Sequence, residues 1–171
     1  MTCTFQSPRR PRFAWLAGLI LPFALATASV AQTPDVRVDL TGKRVVLTEG
    51  KESLVNADKA GPGDVIQYEA VYLNTGKESV KNVAATVPIP AGMTLLADSA
   101  KPAAELASLD GKNFSPVPLM HEVKNDKGVL EKQPVPLAQY RALRWNLAEL
   151  VPGKSATVVL RARLLTNAAG K

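Results

Sequence analysis

The residues that could perform acid–base or metal chemistry are few and widely separated. His121 is the only histidine, and the only cysteine, Cys3, lies at the extreme N-terminus. A structural zinc site takes four histidine, cysteine or carboxylate ligands, and a Ser-His-Asp triad would also have to use His121. The sequence has no Gly-x-Ser-x-Gly turn that could present a nucleophile. We therefore interpret His121 as an exposed hairpin residue and predict neither an enzyme nor a cofactor.

Two loops contain the oxygen-bearing side chains that a calcium site would use. Asn125-Asp126-Lys127-Gly128 is one, and the glycine-containing loop between Asp58 and Asp64 is the other. Calcium takes six to eight oxygen ligands. The first loop offers too few and includes a lysine, and the second lacks the spacing of a calcium loop. We interpret both as turns, so no metal ligands are expected.

Three arginines are candidates for an anion-binding or partner-binding surface. Arg161 and Arg163 lie on the polar side of the last predicted strand, and Arg144 lies on the polar side of a strand expected to neighbour it. Such a stripe could attract acidic glycans or lipid headgroups. The alternative is that the charges only solvate a sheet face and prevent edge-to-edge pairing.

Three aromatic residues, Phe114, Tyr140 and Trp145, are candidates for a surface on which a carbohydrate could stack. Trp145 alternates with Leu143 and Leu147, however, so these three side chains share one face of a strand. That pattern favours a place in the core for Trp145. Exposure of the aromatic rings therefore discriminates between a structural module and a ligand-binding domain.

The elements that must position these residues are short strands. Apolar side chains alternate with polar ones in most segments after residue 35, and turn residues separate the segments. No strand is followed by a crossover helix, which makes a parallel sheet unfavourable. The pattern predicts an all-β fold, an immunoglobulin-like antiparallel β-sandwich of about 7–9 strands. Tyr68, Tyr72 and Trp145 are expected in its core, and Asn74 is expected to hydrogen-bond its own backbone at a turn.

The N-terminus has the three parts of a secretory signal peptide. Arg9, Arg10 and Arg12 precede an apolar stretch, and small residues follow at Ser29 and Ala31. The alternative is an uncleaved anchor helix, and the small residues at the exit favour cleavage. We predict a signal peptide over residues 1–31, a sandwich domain over residues 32–165 and a flexible tail over residues 166–171. No later apolar run is long enough to span a membrane.

The charge of the predicted mature chain is small. Removal of the three leader arginines lowers the formal net charge from +6 to +3. A nucleic-acid-binding domain normally carries a stronger, clustered positive charge. Nucleic acid is therefore not an expected partner.

Three segments carry motifs that resemble one known family. Pro62–Gly76 has a Pro-Gly-Asp entry, a tyrosine strand and an Asn-Thr-Gly exit; Val80–Met93 ends in Pro-Ala-Gly-Met; Leu143–Val158 joins a tryptophan strand to Pro-Gly and a final strand. Together they resemble the conserved repeat domain, also called domain of unknown function eleven, from about Val36 to Leu165. The resemblance implies an immunoglobulin-like sandwich of bacterial envelope and surface proteins, here in a single copy. It implies no catalytic residue.

These observations favour a structural or interaction role over a ligand-binding role, and they do not identify a specific partner. The expected function is that of an exported, non-catalytic structural or protein-interaction module of the bacterial cell envelope, either periplasmic or extracellular. Its expected partner is an envelope protein or a polysaccharide. The alternative is a secreted carbohydrate- or small-ligand-binding domain.

Overall fold

The computed structural model describes residues 35–166, and nearly all of its regular structure is β-strand. The strands are β1 (Val36–Thr48), β2 (Lys51–Asn56), β3 (Val65–Asn74), β4 (Val80–Pro88), β5 (Met93–Leu95), β6 (Leu106–Ser108), β7 (Ser115–Pro116), β8 (Met120–Lys124), β9 (Leu130–Pro134), β10 (Ala142–Leu150) and β11 (Ser155–Leu164). One short 3₁₀ helix, Leu137–Gln139, precedes β10. The predicted all-β class is confirmed. The predicted leader and residues 167–171 of the predicted tail lie outside the described residues.

The strands form two main antiparallel sheets and one separate hairpin. The five-stranded sheet has the order β2-β1-β3-β11-β5, and the four-stranded sheet has the order β4-β10-β6-β7. Strands β8 and β9 pair only with each other. The nine strands of the two main sheets match the predicted number. The β8–β9 hairpin agrees with the interpretation of His121 as a hairpin residue, and it pairs with neither main sheet.

The core lies between the two main sheets. Alternate residues of β3 and β11 from one sheet and of β4 and β10 from the other are buried, and they belong to one apolar cluster. Trp145 is 2% exposed, and its indole Nε1 donates a hydrogen bond of 2.7 Å to the carbonyl of Pro102. The predicted core position of Trp145 is therefore confirmed, and its polar atom has a partner, as a buried indole requires.

The two predicted core tyrosines differ in their burial. Tyr72 is buried, and its hydroxyl reaches the backbone of Thr86 in the opposite sheet. Tyr68 is only partly buried at the rim of the core, where its hydroxyl donates to Sδ of Met93 at 3.2 Å. Its neighbour on β1 is Gly42, and the ring lies close to it: a Cβ there would lie 3.3 Å from Cε1 of Tyr68.

Asn74 joins the end of β3 to the end of β10. Its side chain is fully buried, and its Oδ1 accepts a hydrogen bond from the Gly76 N–H at 2.9 Å, which is the predicted turn interaction. Its Nδ2 also donates to the carbonyls of Glu78 and Leu150, each at 2.7 Å. The amide therefore ties the end of β3 to the turn before β4 and to the end of β10 in the other sheet. Its removal would be costly because the Leu150 carbonyl is buried and would lose its partner.

Across residues 35–166, no helix has the length and apolar character needed to cross a membrane.

Candidate interaction surface

The three predicted arginines do not form one surface. Arg161 and Arg163 lie on β11 in the five-stranded sheet, whereas Arg144 lies on β10 in the four-stranded sheet. The expectation that these strands are neighbours is wrong, because the chain crosses from one sheet to the other between Leu150 and Ser155. The outer faces of the two sheets point in opposite directions, so Arg144 lies on the other side of the sandwich.

Arg144 holds a loop against the outer face of the four-stranded sheet. Its guanidinium carbon lies 3.4 Å from the centre of the Phe114 ring, and its Nε donates to Oγ1 of Thr86 at 2.9 Å. A guanidinium stacked on an aromatic face in this way is a cation–π contact. It covers one face of the Phe114 ring, so that face is not free to stack on a sugar.

Arg161 ties distant strands of the five-stranded sheet together. Its two terminal nitrogens donate to the two carboxylate oxygens of Glu52 at 3.2 and 3.0 Å, and its Nε donates to Oε1 of Gln67 at 2.9 Å. Glu52 is on β2, separated from β11 by β1 and β3. Because the Glu52 carboxylate neutralises its charge, Arg161 is poorly suited to bind an external anion. Of the three arginines, only Arg163 is exposed, whereas Arg144 and Arg161 are partly buried.

The other two candidate stacking residues are enclosed in the core. Tyr140 is 1% exposed, and its hydroxyl oxygen accepts the Leu119 N–H at 2.9 Å. Trp145 is equally enclosed. Neither ring can stack on a carbohydrate without unfolding its surroundings.

The polar loops act as turns. Both oxygens of the Asp110 carboxylate accept hydrogen bonds. Its Oδ1 accepts the N–H groups of Asn113 and Lys112, each at 2.8 Å, and the Ser108 hydroxyl. Its Oδ2 accepts the side-chain amide of Asn113. These donors, the Asn113 N–H foremost, hold the pKa of Asp110 well below its usual range. The Gly61 N–H, and then Arg44, lower the pKa of Asp64 in the same way.

The two remaining candidate positions are also explained locally. Oδ1 of Asn125 accepts the N–H groups of Lys127 and Val129, which closes the β8–β9 turn. His121 lies on β8 opposite Gln133 and is partly buried, rather than exposed as expected. Within residues 35–166, no three side chains of the histidine, cysteine, aspartate or glutamate type come together as a metal site would need.

The exposed apolar side chains of two hairpins were not identified from the sequence. The β1–β2 hairpin continues past Val45, where the pairing of β1 with β3 ends, and it carries an exposed Leu47, Leu54 and Val55. The β8–β9 hairpin carries an exposed Met120, Val129 and Leu130. Apolar side chains in short strands are typical of a core-facing position, so the sequence alone did not show that these side chains are exposed in the described residues.

Comparison with protein-family models, with curated proteins and with solved structures found no match to this chain. The resemblance to the conserved repeat domain family therefore stays a prediction that rests on the three sequence segments.

Proposed function

We propose that this protein is an exported, non-catalytic structural or protein-interaction module of the bacterial cell envelope. The observation that carries the proposal is the burial of Trp145 and Tyr140, which are 2% and 1% exposed. Together with the cover that Arg144 places over one face of Phe114, their burial argues against the aromatic surface on which a carbohydrate-binding role depends. The evidence for export is the three-part N-terminus of the sequence.

The two hairpins are the elements best suited to contact another protein. Leu47 is 74% exposed at one hairpin and Leu130 is 57% exposed at the other. The register of the β1–β2 hairpin places Leu47 and Leu54 on the same face, and an exposed apolar patch is typical of surfaces that contact a protein. Aliphatic side chains offer little to a polysaccharide, which is bound largely through aromatic rings and polar groups. An envelope protein is therefore a better partner for these hairpins than a polysaccharide.

Site-specific photo-crosslinking in the native host would test this function. A photoreactive residue at Leu47 or Leu130 should give discrete crosslinked products in the envelope fraction. The same residue at Lys77, which is exposed in the turn between β3 and β4, is the matched control and should give none.

Three outcomes would contradict the proposal. The first is recovery of the protein in the cytoplasm. The second is equal crosslinking from Lys77. The third is saturable binding of an envelope polysaccharide by the purified protein without any protein crosslink, which would instead support the carbohydrate-binding alternative.

A further inference from the structure

The two main sheets of the described residues have four edge strands, and three of these edges are protected against further pairing. On β4, the Tyr72 hydroxyl bonds both backbone groups of Thr86. Strand β5 has three residues, and its Met93 N–H donates to the Pro90 carbonyl at 3.2 Å. Strand β7 has two residues, of which Pro116 has no N–H. Short strands, prolines and covered backbone groups are the usual means by which proteins protect a sheet edge.

Strand β2, the fourth edge, has none of these protections. Its six residues, Lys51–Asn56, are all exposed, include no proline and pair with β1 in an unbroken register. A two-residue turn joins β2 to β1 at Glu49 and Gly50, whose φ angles of 53° and 77° are those of a type I′ turn. The strand is therefore an open edge that a tight turn holds in place.

The turn fixes which backbone groups of β2 point away from β1. Thr48 and Lys51 flank the turn and form a hydrogen-bonded pair, and such pairs alternate along an antiparallel ladder. Every second residue of β2, counted from Lys51, therefore bonds to β1, and the N–H and C=O groups of the residues between them face solvent. Those residues are Glu52, Leu54 and Asn56.

The free edge of β2 is complementary to itself. A two-fold axis at Leu54 would place two copies of β2 antiparallel, with Leu54 opposite its counterpart and Glu52 opposite Asn56 of the second copy. The three free residues of each copy would then form six hydrogen bonds across the axis. Leucine would contact leucine, and a carboxylate would face a side-chain amide that can donate to it. An axis at Glu52 would instead place two carboxylates opposite each other, which is unfavourable.

We propose that the protein pairs through β2 with a second copy of itself, about a two-fold axis at Leu54. The two five-stranded sheets would then form one continuous sheet of ten strands. Because the two-fold contact uses both open edges, the assembly closes at a dimer. A standard interface has about ten hydrogen bonds, so a contact made by one strand predicts a weak dimer whose population rises with protein concentration.

The dimer does not depend on the proposed function. It is tested with the purified protein alone, whereas the proposed function concerns contacts with another protein in the envelope. Leu47, on the neighbouring strand, is not part of the edge and stays available to such a protein. The two proposals can therefore fail independently.

Leu54→Pro tests the dimer directly, because it removes an N–H that faces the second copy and none that bonds to β1. Analytical ultracentrifugation of the wild-type protein over a dilution series should show a reversible equilibrium between monomer and dimer. We expect Leu54→Pro to weaken this association at least about tenfold and to leave the β-type circular dichroism unchanged. Leu54→Val is the matched control, since it keeps the N–H and an apolar side chain, and it should still form the dimer.

Cysteine crosslinking tests the register and does not depend on the proline variant. In the full chain with Cys3→Ser, which removes the only native cysteine, Leu54→Cys would place two Cα atoms about 5.5 Å apart across the axis, within the range of a disulfide. Leu47→Cys is the matched control. Leu47 is 74% exposed and Leu54 is 43% exposed, so random collisions would favour position 47. We expect the disulfide-linked dimer to form at least about tenfold faster at position 54.

Four results would overturn the proposal. The first is a wild-type protein that stays monomeric over the whole dilution series. The second is a folded Leu54→Pro variant that associates as strongly as the wild type, and the third is equal disulfide formation at positions 54 and 47. The fourth is a monomer whose β2 edge is protected from amide exchange only after another protein is added, since a strand of that protein would then be the occupant.

Discussion

The hydroxyl of Tyr72 accepts the Thr86 N–H at 2.8 Å and donates to the Thr86 carbonyl at 3.1 Å, so one side chain satisfies both backbone groups of that residue. Tyr72 lies on β3 of the five-stranded sheet, and Thr86 lies on β4 at the edge of the other. The contact therefore joins the two sheets and occupies part of a strand edge that would otherwise be open to pairing.

Tyr72→Phe should destabilise the protein by about 1–3 kcal/mol, because it leaves a partly buried N–H and carbonyl without partners while it keeps the ring. Chemical denaturation would measure the change in the free energy of unfolding. Tyr68→Phe is the matched control, since the Tyr68 hydroxyl bonds only to a thioether sulfur, and its cost should be well below that of Tyr72→Phe. Equal costs for the two variants would show that the bridge to Thr86 contributes little.

Acid should weaken the fold through Asp110 and Asp64. The pKa of each is lower in the folded protein than the usual value of 3.8, so each carboxylate contributes stability that is fully present above the unfolded pKa and is lost as the pH falls through the folded pKa. The melting temperature should therefore be steady near neutral pH and fall below about pH 4.

Asp110→Asn should flatten that acid dependence, since the amide keeps an acceptor oxygen but does not titrate. Asp58→Asn is the control, because Asp58 is exposed, and it should leave the profile unchanged. If the melting temperature of Asp110→Asn falls at low pH as much as that of the wild-type protein, the hydrogen bonds to Asp110 do not contribute to the pH dependence.

Export should be visible as a processed N-terminus. Mass spectrometry of the protein recovered from an expressing diderm host should find Gln32 as the first residue, because Ser29 and Ala31 are the small residues that a signal peptidase site needs. Intact Met1 in the membrane fraction would indicate an uncleaved anchor instead.

Alternation in the sequence was sufficient to predict which side of a strand the main core residues occupy. It placed Leu143 and Trp145 in the core, and the Asn-Thr-Gly turn after β3 was predicted from residue type alone. Both are local properties, set by the period of the strand and by the short side chain of asparagine.

The pairing of strands was not predictable in the same way. Alternation assigns a residue to a face but not to a sheet, so Arg144 and Arg161 were expected side by side. The turn after β10 has the residues of a hairpin, yet it crosses between sheets because long-range hydrogen bonds hold it there. The Asn74 N–H donates to Lys154, and Gly153 donates to the Asn74 carbonyl, at 3.1 and 2.9 Å. Such contacts join residues nearly eighty positions apart and leave no periodic signal.

Trp145→Ala best separates the structural module from the ligand-binding alternative. The substitution removes the largest side chain in the core and leaves a cavity between the sheets, which should cost about 3–5 kcal/mol. A domain of this size typically has about 5–15 kcal/mol of stability in total, so the variant should be poorly folded by circular dichroism and by thermal melting.

The wild-type protein provides a second measurement of the same position. Trp15 is the only other tryptophan, so the emission of the processed chain would report Trp145 alone and should be blue-shifted, as for an indole that water does not reach. Phe114→Ala is the control, because this ring lies at the surface under Arg144, and it should leave the fold and the emission intact. If Trp145→Ala instead folds normally and loses binding to a glycan or protein, the indole is a recognition residue, and the structural role proposed for this chain is wrong.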